Sequence, residues 1–196
     1  MKKRSKKRWV LIFSFIVVSC TLFVLSPLLL RTFVVQAFKI PAGSMKPTLL
    51  VGDHILVDKL QKNLKKITRG DVVVFVYPPD PRKDFVKRVI GLPNDLIEIR
   101  DKTLYVNGDL FEENYVIHTD SKIIPAKYRP RDNLGPLRVP SDSVFVLGDN
   151  RDASFDSRFW GYVELSKIKG KVTIIYWSLD KENFQVRWDR IGKTVH

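Results

Sequence analysis

The sequence is poor in two residue types that often carry catalysis or stabilise small extracellular domains. It has one cysteine in 196 residues, so it cannot form an intramolecular disulfide and depends on its hydrophobic core. Its three histidines, His54, His118 and His196, stand in segments with no acidic partner patterned for a catalytic triad. Their spacing predicts no metal site, and we expect no cofactor. A serine nucleophile in this chain would need a base other than histidine.

Signatures of nucleic-acid binding are also missing, although the formal net charge is +13. We find no helix-turn-helix pattern, zinc-ligand spacing or aromatic and basic RNA motif, so no nucleic-acid partner is expected. The first eight residues carry six lysines or arginines and no acid, and the other basic residues are scattered. Attraction to anionic headgroups is the simpler explanation, which makes membrane lipids an expected partner.

An uncharged apolar run at residues 9–30 follows the basic tail of residues 1–8. Its 22 residues reach about 33 Å as a helix, enough to cross the hydrocarbon core of a bilayer. The basic end should stay cytoplasmic, so the pattern predicts a single-pass signal anchor in the cell membrane with residues 31–196 outside the cytoplasm. Val17 to Cys20 resemble a lipoprotein processing box, and lipidation stays an alternative to an inert cysteine in a membrane helix.

The residues after the apolar run predict a mostly β structure with little helix. Short stretches rich in branched and aromatic residues, bounded by turn formers, predict strands at 72–77, 144–147 and 172–177. Residues 96–100 and 103–106 with the Asn107-Gly108 turn predict a β-meander. The basic, proline-containing stretch from His118 to Pro140 has little periodicity and predicts a loop.

These elements suggest a catalytic β core interrupted by a smaller insertion. The core is expected to comprise residues 32–95 and 141–196. Residues 96–140 are expected to form a smaller inserted cap region with β structure. Together they make up the extracytoplasmic domain.

Ser44 stands in a segment that is typical of a constrained turn. Pro41 and Pro47 restrict the backbone on either side, and Gly43 permits a close approach or an unusual conformation. Such a turn would expose the serine hydroxyl, although an ordinary surface turn has a similar composition.

Lys87 stands in a segment that favours an apolar setting for its amine. In an extended strand, Phe85 and Val89 share its face while Arg88 points the other way. Apolar surroundings lower the pKa of a lysine, and only the neutral amine can take a proton from a hydroxyl. Lys87 is therefore the candidate base for Ser44.

Four sequence blocks connect these residues to a known family. They are PAGSMKPTL at 41–49, GDHILVDKL at 52–60, KRVIGLPND at 87–95 and GDNRDASFDSRFWG at 148–161. In these blocks, and in the apolar run before them, the chain resembles the type I signal peptidases. That family consists of membrane-anchored serine proteases with a Ser/Lys dyad and a mostly β catalytic domain. The resemblance covers most of the chain.

The resemblance implies a role for each matching residue. Ser44 would attack the scissile carbonyl, with its backbone N–H binding the oxyanion, while Lys87 would act as general base and then general acid. Ser154 would orient the Lys87 amine. Arg88 and Asp149 would pair as a structural salt bridge, and Asp156 and Arg158 would support the site from behind the dyad.

Two positions depart from the usual family pattern. Some members carry a serine that helps bind the oxyanion where this chain has Ala42, so a second oxyanion donor is not assigned. Asn94 stands where glycine is usual, and asparagine tolerates left-handed backbone angles better than most residues.

The expected function is removal of N-terminal signal peptides from exported preproteins of a bacterium, which makes those signal peptides the expected partner. One alternative is a membrane-anchored pseudoenzyme that binds signal peptides without cutting them. Another is a self-cleaving Ser/Lys repressor, but such a protein would carry a DNA-binding head in place of the apolar run. The aspartates of residues 148–156 could suggest a calcium loop, but the interleaved Arg151 and Arg158 favour ion pairs.

Overall fold

The computed structural model describes residues 12–21, 23, 35–59 and 67–195. Residues 12–21 are helical. The predicted tail at 1–8 and much of the predicted anchor at 9–30 lie outside the described residues. No helix within the described ranges is long and apolar enough to cross a membrane.

The rest of the described chain is mostly β, as the sequence predicts. The strands are β1 (Val35–Lys39), β2 (Asp53–Asp58), β3 (Val72–Val76), β4 (Asp84–Gly91), β5 (Leu96–Arg100), β6 (Thr103–Val106), β7 (Asp109–Leu110), β8 (Leu134–Arg138), β9 (Ser143–Leu147), β10 (Val163–Glu164) and β11 (Ile168–Ser178). They form two antiparallel sheets, one ordered β1-β2-β11-β3-β4-β9-β10 and one ordered β7-β6-β5-β8. A short α-helix covers Ser157–Trp160.

The burial of each strand follows its sequence pattern. β2 alternates strictly between buried and half-buried residues, with one face in the core. In β3 the first four residues are all buried, as are all five of β9, because both faces of these central strands are covered. The near-continuous Val and Phe content of β3 and β9 therefore reflects burial on both faces.

The smaller sheet contains one predicted turn and one unexpected strand. Asn107 and Gly108 have φ values of 57° and 93°, the two positive angles that a tight hairpin turn between β6 and β7 requires. The prediction of a loop from His118 to Pro140 is wrong at its end, because β8 pairs there with β5. Pro136 is tolerated because β8 is an edge strand and its pairing has a register shift at this point.

All four strands of the smaller sheet come from residues 96–138, and they pack on the larger sheet. Ile97 and Ile99 of β5 share one buried cluster with Ile90 of β4 and with Phe145 and Leu147 of β9. Asn94, just before β5, has a φ of 70°, in the left-handed region. The shared cluster fixes the smaller sheet against β4 and β9, the two strands that lead into the candidate site.

Candidate active site

Ser44 lies in a single turn of 3-10 helix, Gly43–Met45, that follows β1. The turn is attached to the core because Met45 is buried in the cluster formed by β2, β3 and β11. The Asn150 N–H donates to the Ser44 carbonyl oxygen at 3.1 Å. A Cβ on Gly148 would lie 2.5 Å from that same oxygen and would collide with the Ser154 hydroxyl. Glycine at 148 therefore allows the serine turn and the loop after β9 to meet.

Lys87 lies on β4, directly opposite Val73 of β3. Its Nζ donates to Ser44 Oγ at 2.7 Å, across 43 residues of sequence. The side chain is only 4% exposed, and the Phe85 ring centroid is 5.4 Å from Nζ. The structure thus brings the candidate nucleophile and the candidate base into direct contact, in an apolar setting.

Burial lowers the pKa of Lys87 from 10.5 to about 8. The negative charges of Asp156 and Asp149 oppose this shift, and the positive charge of Arg158 adds to it. With a pKa near 8, about a tenth of the Lys87 side chains are neutral at pH 7. A neutral amine within hydrogen-bond distance of a serine hydroxyl can accept its proton.

Arg88, the next residue on β4, points away from Lys87 and pairs with Asp149. Its Nε and Nη2 donate to the two carboxylate oxygens at 2.9 and 2.7 Å, and both side chains are 1% exposed. Arg88 Nη1 also donates to the Gly70 carbonyl oxygen at 2.6 Å, and the guanidinium stacks on Tyr115 at 3.9 Å. Thr48 Oγ1 donates to Asp149 at 2.5 Å, so this ion pair connects β4 to the segment after Ser44.

Asp156 and Arg158, which were expected to support the site, form a second ion pair. Arg158 Nε and Nη2 donate to Asp156 at 2.8 and 2.9 Å, and both residues are buried. Asp156 also accepts from the Gly148 N–H at 3.1 Å and caps the short helix by accepting from the Arg158 N–H. The pair therefore holds the loop after β9 in the shape that brings Gly148 to Ser44.

A third ionic cluster connects this loop to the smaller sheet. The buried carboxylate of Asp152 accepts from Lys102 Nζ at 3.0 Å and from the Asp120 N–H at 2.8 Å. Arg131 Nε is 3.6 Å from the same carboxylate. Burial opposes ionisation here, but the bonds from Asp120 and Lys102 hold the pKa of Asp152 at about 2. Each aspartate of residues 148–156 thus has a cationic partner.

Ser154, expected to orient the Lys87 amine, is buried, and its Oγ lies close to Gly148 beside the Ser44 carbonyl oxygen. Its Oγ has no hydrogen-bond partner among the described residues. The described ranges also contain no group of three or more residues able to hold a metal ion.

An apolar cleft of about 330 Å³ opens at the dyad. One wall comes from β1 and the residues after it, including Phe38, Ile40 and Ala42. The other wall comes from the start of β4, including Phe85 and Val86. Ser44 and Lys87 both line the cleft, so a bound chain could reach the serine hydroxyl.

Sequence reasoning missed several residues that shape this site. Asn150 lies in the fourth sequence block, but the block alone does not reveal that its N–H donates to the Ser44 carbonyl oxygen. Tyr115 and Lys102 lie in segments with no recognised motif, and nothing in their local pattern reveals contacts with Arg88 and Asp152. Thr48 lies in the first motif block, where its spacing from Ser44 could have indicated a shared turn.

Comparisons with known proteins agree with the blocks found in the sequence. The family model of signal peptidase, peptidase S26, matches residues 7–177. A probable signal peptidase I-2 from Synechocystis sp. is 38% identical over 158 residues, covering 78% of this chain and 67% of that protein. The signal peptidase I of Bacillus caldolyticus is 39% identical over 160 residues, covering 80% and 87%. A crystal structure of an Enterococcus faecalis signal peptidase I gives a TM-score of 0.44 at 34% identity, covering 55% of this chain and 97% of that one.

The matches place this mostly β chain in the class of peptidases. It belongs to the signal peptidase family, peptidase S26, which confirms the family predicted from the four sequence blocks.

Proposed function

We propose that the chain is a membrane-bound serine endopeptidase that removes N-terminal signal peptides from exported preproteins, with Ser44 as nucleophile and Lys87 as general base. The observation that carries this proposal is the 2.7 Å hydrogen bond between Lys87 Nζ and Ser44 Oγ, with the lysine 4% exposed. Membership of the signal peptidase family supports the substrate class.

In the proposed reaction the neutral Lys87 amine accepts the Ser44 hydroxyl proton as Oγ bonds to the scissile carbonyl carbon. The resulting tetrahedral oxyanion accepts a hydrogen bond from the Ser44 backbone N–H. The Ala42 side chain is a methyl group, which cannot donate a hydrogen bond to the oxyanion. The Lys87 ammonium then protonates the leaving amine as the peptide bond breaks. Lys87, neutral again, takes a proton from the water that hydrolyses the acyl-enzyme.

The pairing of the two cleft strands supports binding of the signal peptide as an extended strand. β1 pairs with β2 on one side, and β4 pairs with β9 only from Arg88 onward. In the described pairings, β1 and residues 84–87 therefore each keep one edge without a partner strand. Such edges bind extended peptides through main-chain hydrogen bonds, while side-chain pockets select residues.

The proposed substrate class predicts selection for small side chains in the cleft. With alanine one and three residues before the cut, a peptide should be cleaved, whereas phenylalanine at both positions should lower kcat/KM by about 10- to 100-fold. Phenylalanine two residues before the cut is the matched control, because its side chain points to the other face of an extended strand. Equal cleavage of all three peptides by purified enzyme would overturn the leader-peptidase assignment.

The pH dependence should report Lys87. Below a pH of about 8 the buried amine is mostly protonated and cannot act as base, so kcat/KM should rise through that pH and level off above it. A histidine base would instead give a rising limb near pH 6.5. Initial rates on a neutral peptide from pH 6 to 10 test this. A flat profile, with chemistry shown to be rate-limiting, would contradict Lys87 as the base.

A position at the membrane surface is part of the proposal. The apolar run at 9–30 supports an anchor. Aromatic residues lie beside the cleft in the larger sheet: Trp177 pairs with His54, which pairs with Lys39 of β1. Trp188 packs on Trp177 and is 73% exposed, as expected for an aromatic at a lipid interface.

In the same cleavage assay, protein starting at Arg31 should keep its specificity but lose efficiency on membrane-embedded preproteins.

A further inference from the structure

A second groove begins where the catalytic cleft ends. Ala153 and Phe155 line both depressions, with Ser154 between them at the base of the second. This groove has a volume of about 560 Å³ and extends to Phe159, Tyr128 and Arg129. The Phe155 and Phe159 rings stack with centroids 5.2 Å apart, and Phe155 and Tyr128 are 52% and 71% exposed. The two depressions thus form one continuous path past the dyad.

A preprotein bound at Ser44 must continue in both directions from the scissile bond. The cleft between β1 and β4 extends from Ser44 to Phe38, and it can hold the part of the preprotein that precedes the scissile bond. The path across Ala153 and Phe155 is the other continuation from the dyad. A peptide in extended conformation advances about 3.3 Å per residue, so three or four residues span a groove of this size.

We propose that this groove binds the first residues of the mature protein, after the scissile bond, and that Arg129 favours an acidic side chain among them. The proposal rests on the proposed function and adds a second specificity element to it. The signal peptide occupies the apolar cleft, and the mature segment leaves across the aromatic rings toward Arg129.

Charge at the groove supports the choice of an acidic residue. Arg131 forms ion pairs with Asp132 and Asp120, at 2.7 and 3.0 Å. Asp152 at the groove floor is neutralised by Lys102. Arg129 is exposed, and its guanidinium forms no ion pair with any residue in the part of the chain that the structure describes. A guanidinium binds carboxylates through paired hydrogen bonds, which makes an acidic side chain its matching ligand.

The direct test uses peptides that are identical up to the cut and carry glutamate or glutamine at each of the first four positions after it. With wild-type enzyme, we expect glutamate to raise kcat/KM about two- to fivefold over glutamine at one of these positions. Arg129→Glu should reverse the order and favour a lysine peptide at that position. Lys181→Glu makes the same charge change at an exposed position outside the groove lining and should leave the wild-type preference unchanged.

A second measurement locates the mature segment without depending on one ion pair. Ser44→Ala protein is mixed with a peptide carrying benzoylphenylalanine two residues after the cut, and the photocrosslink is mapped by mass spectrometry. Crosslinks to residues 128–131 or 153–159 support the proposal. Crosslinks confined to residues 38–42 or 84–87 would overturn it, as would equal glutamate and glutamine rates at all four positions. In either case cleavage of the neutral peptide by wild-type enzyme would leave the proposed function standing, whereas no cleavage of any peptide would remove both.

Discussion

Replacing Lys87 with arginine should abolish cleavage, with a loss of about 10³-fold or more in kcat, although positive charge and length are nearly preserved. Arginine stays protonated at every accessible pH and cannot accept the Ser44 proton. Ser44→Ala should give a loss of similar size because no nucleophile remains. Each rate is to be measured on a signal-peptide substrate with purified protein.

Lys87→Met is the control that separates lost chemistry from lost structure. Because burial lowers the pKa of Lys87 from 10.5 to about 8, the fold opposes its charged form. Below pH 8 the side chain is charged in both the folded and the unfolded protein. Burying the charged amine then lowers the free energy of unfolding by about 3 kcal/mol. That cost disappears as the pH rises from 8 to 10.5. Lys87→Met should therefore be inactive but at least as stable as wild type at pH 7. Substantial turnover by either Lys87→Arg or Lys87→Met would contradict the assignment of Lys87 as the base.

The predictable part of this site came from short, specific patterns. Ser44 and Lys87 lie in blocks whose order and composition identify the family, and strand alternation alone separates Lys87 from Arg88. The Asn107-Gly108 turn is likewise local, since two residues with positive φ determine the hairpin. These features are predictable because the information lies within a few neighbouring residues.

The unpredicted part depends on contacts between distant segments. β8 contains Gly135 and Pro136 and has no alternating pattern, so its strand conformation comes from pairing with β5. The Asp152 cluster joins residues 102, 120, 131 and 152, and no single segment reveals it. The close approach at Gly148 is of the same kind, because its reason is a carbonyl oxygen 104 residues earlier in the chain.

Asp149→Asn should be among the most destabilising substitutions near the site. It keeps the shape of the side chain but removes the negative charge that faces the Arg88 guanidinium, which is 1% exposed. Breaking one side of a buried ion pair costs about 3–5 kcal/mol, which corresponds to a fall in Tm of roughly 10 °C for a chain of this length. The negative charge of Asp149 also raises the pKa of Lys87, so its removal should move the rising limb of the pH profile to lower pH.

Asp80→Asn is the matched control for the stability effect, since it breaks pairs with Arg82 and Lys83 whose side chains are 88% and 64% exposed. Solvent screens such pairs, and we expect little change in Tm. Thermal unfolding at pH 7, followed by circular dichroism, compares the two variants with wild type. If Asp149→Asn melted within a degree or two of Asp80→Asn, the buried pair would contribute no more than a surface one. The attachment of β4 to the segment after Ser44 would then have to come from the bond that Arg88 Nη2 donates to Thr48 Oγ1.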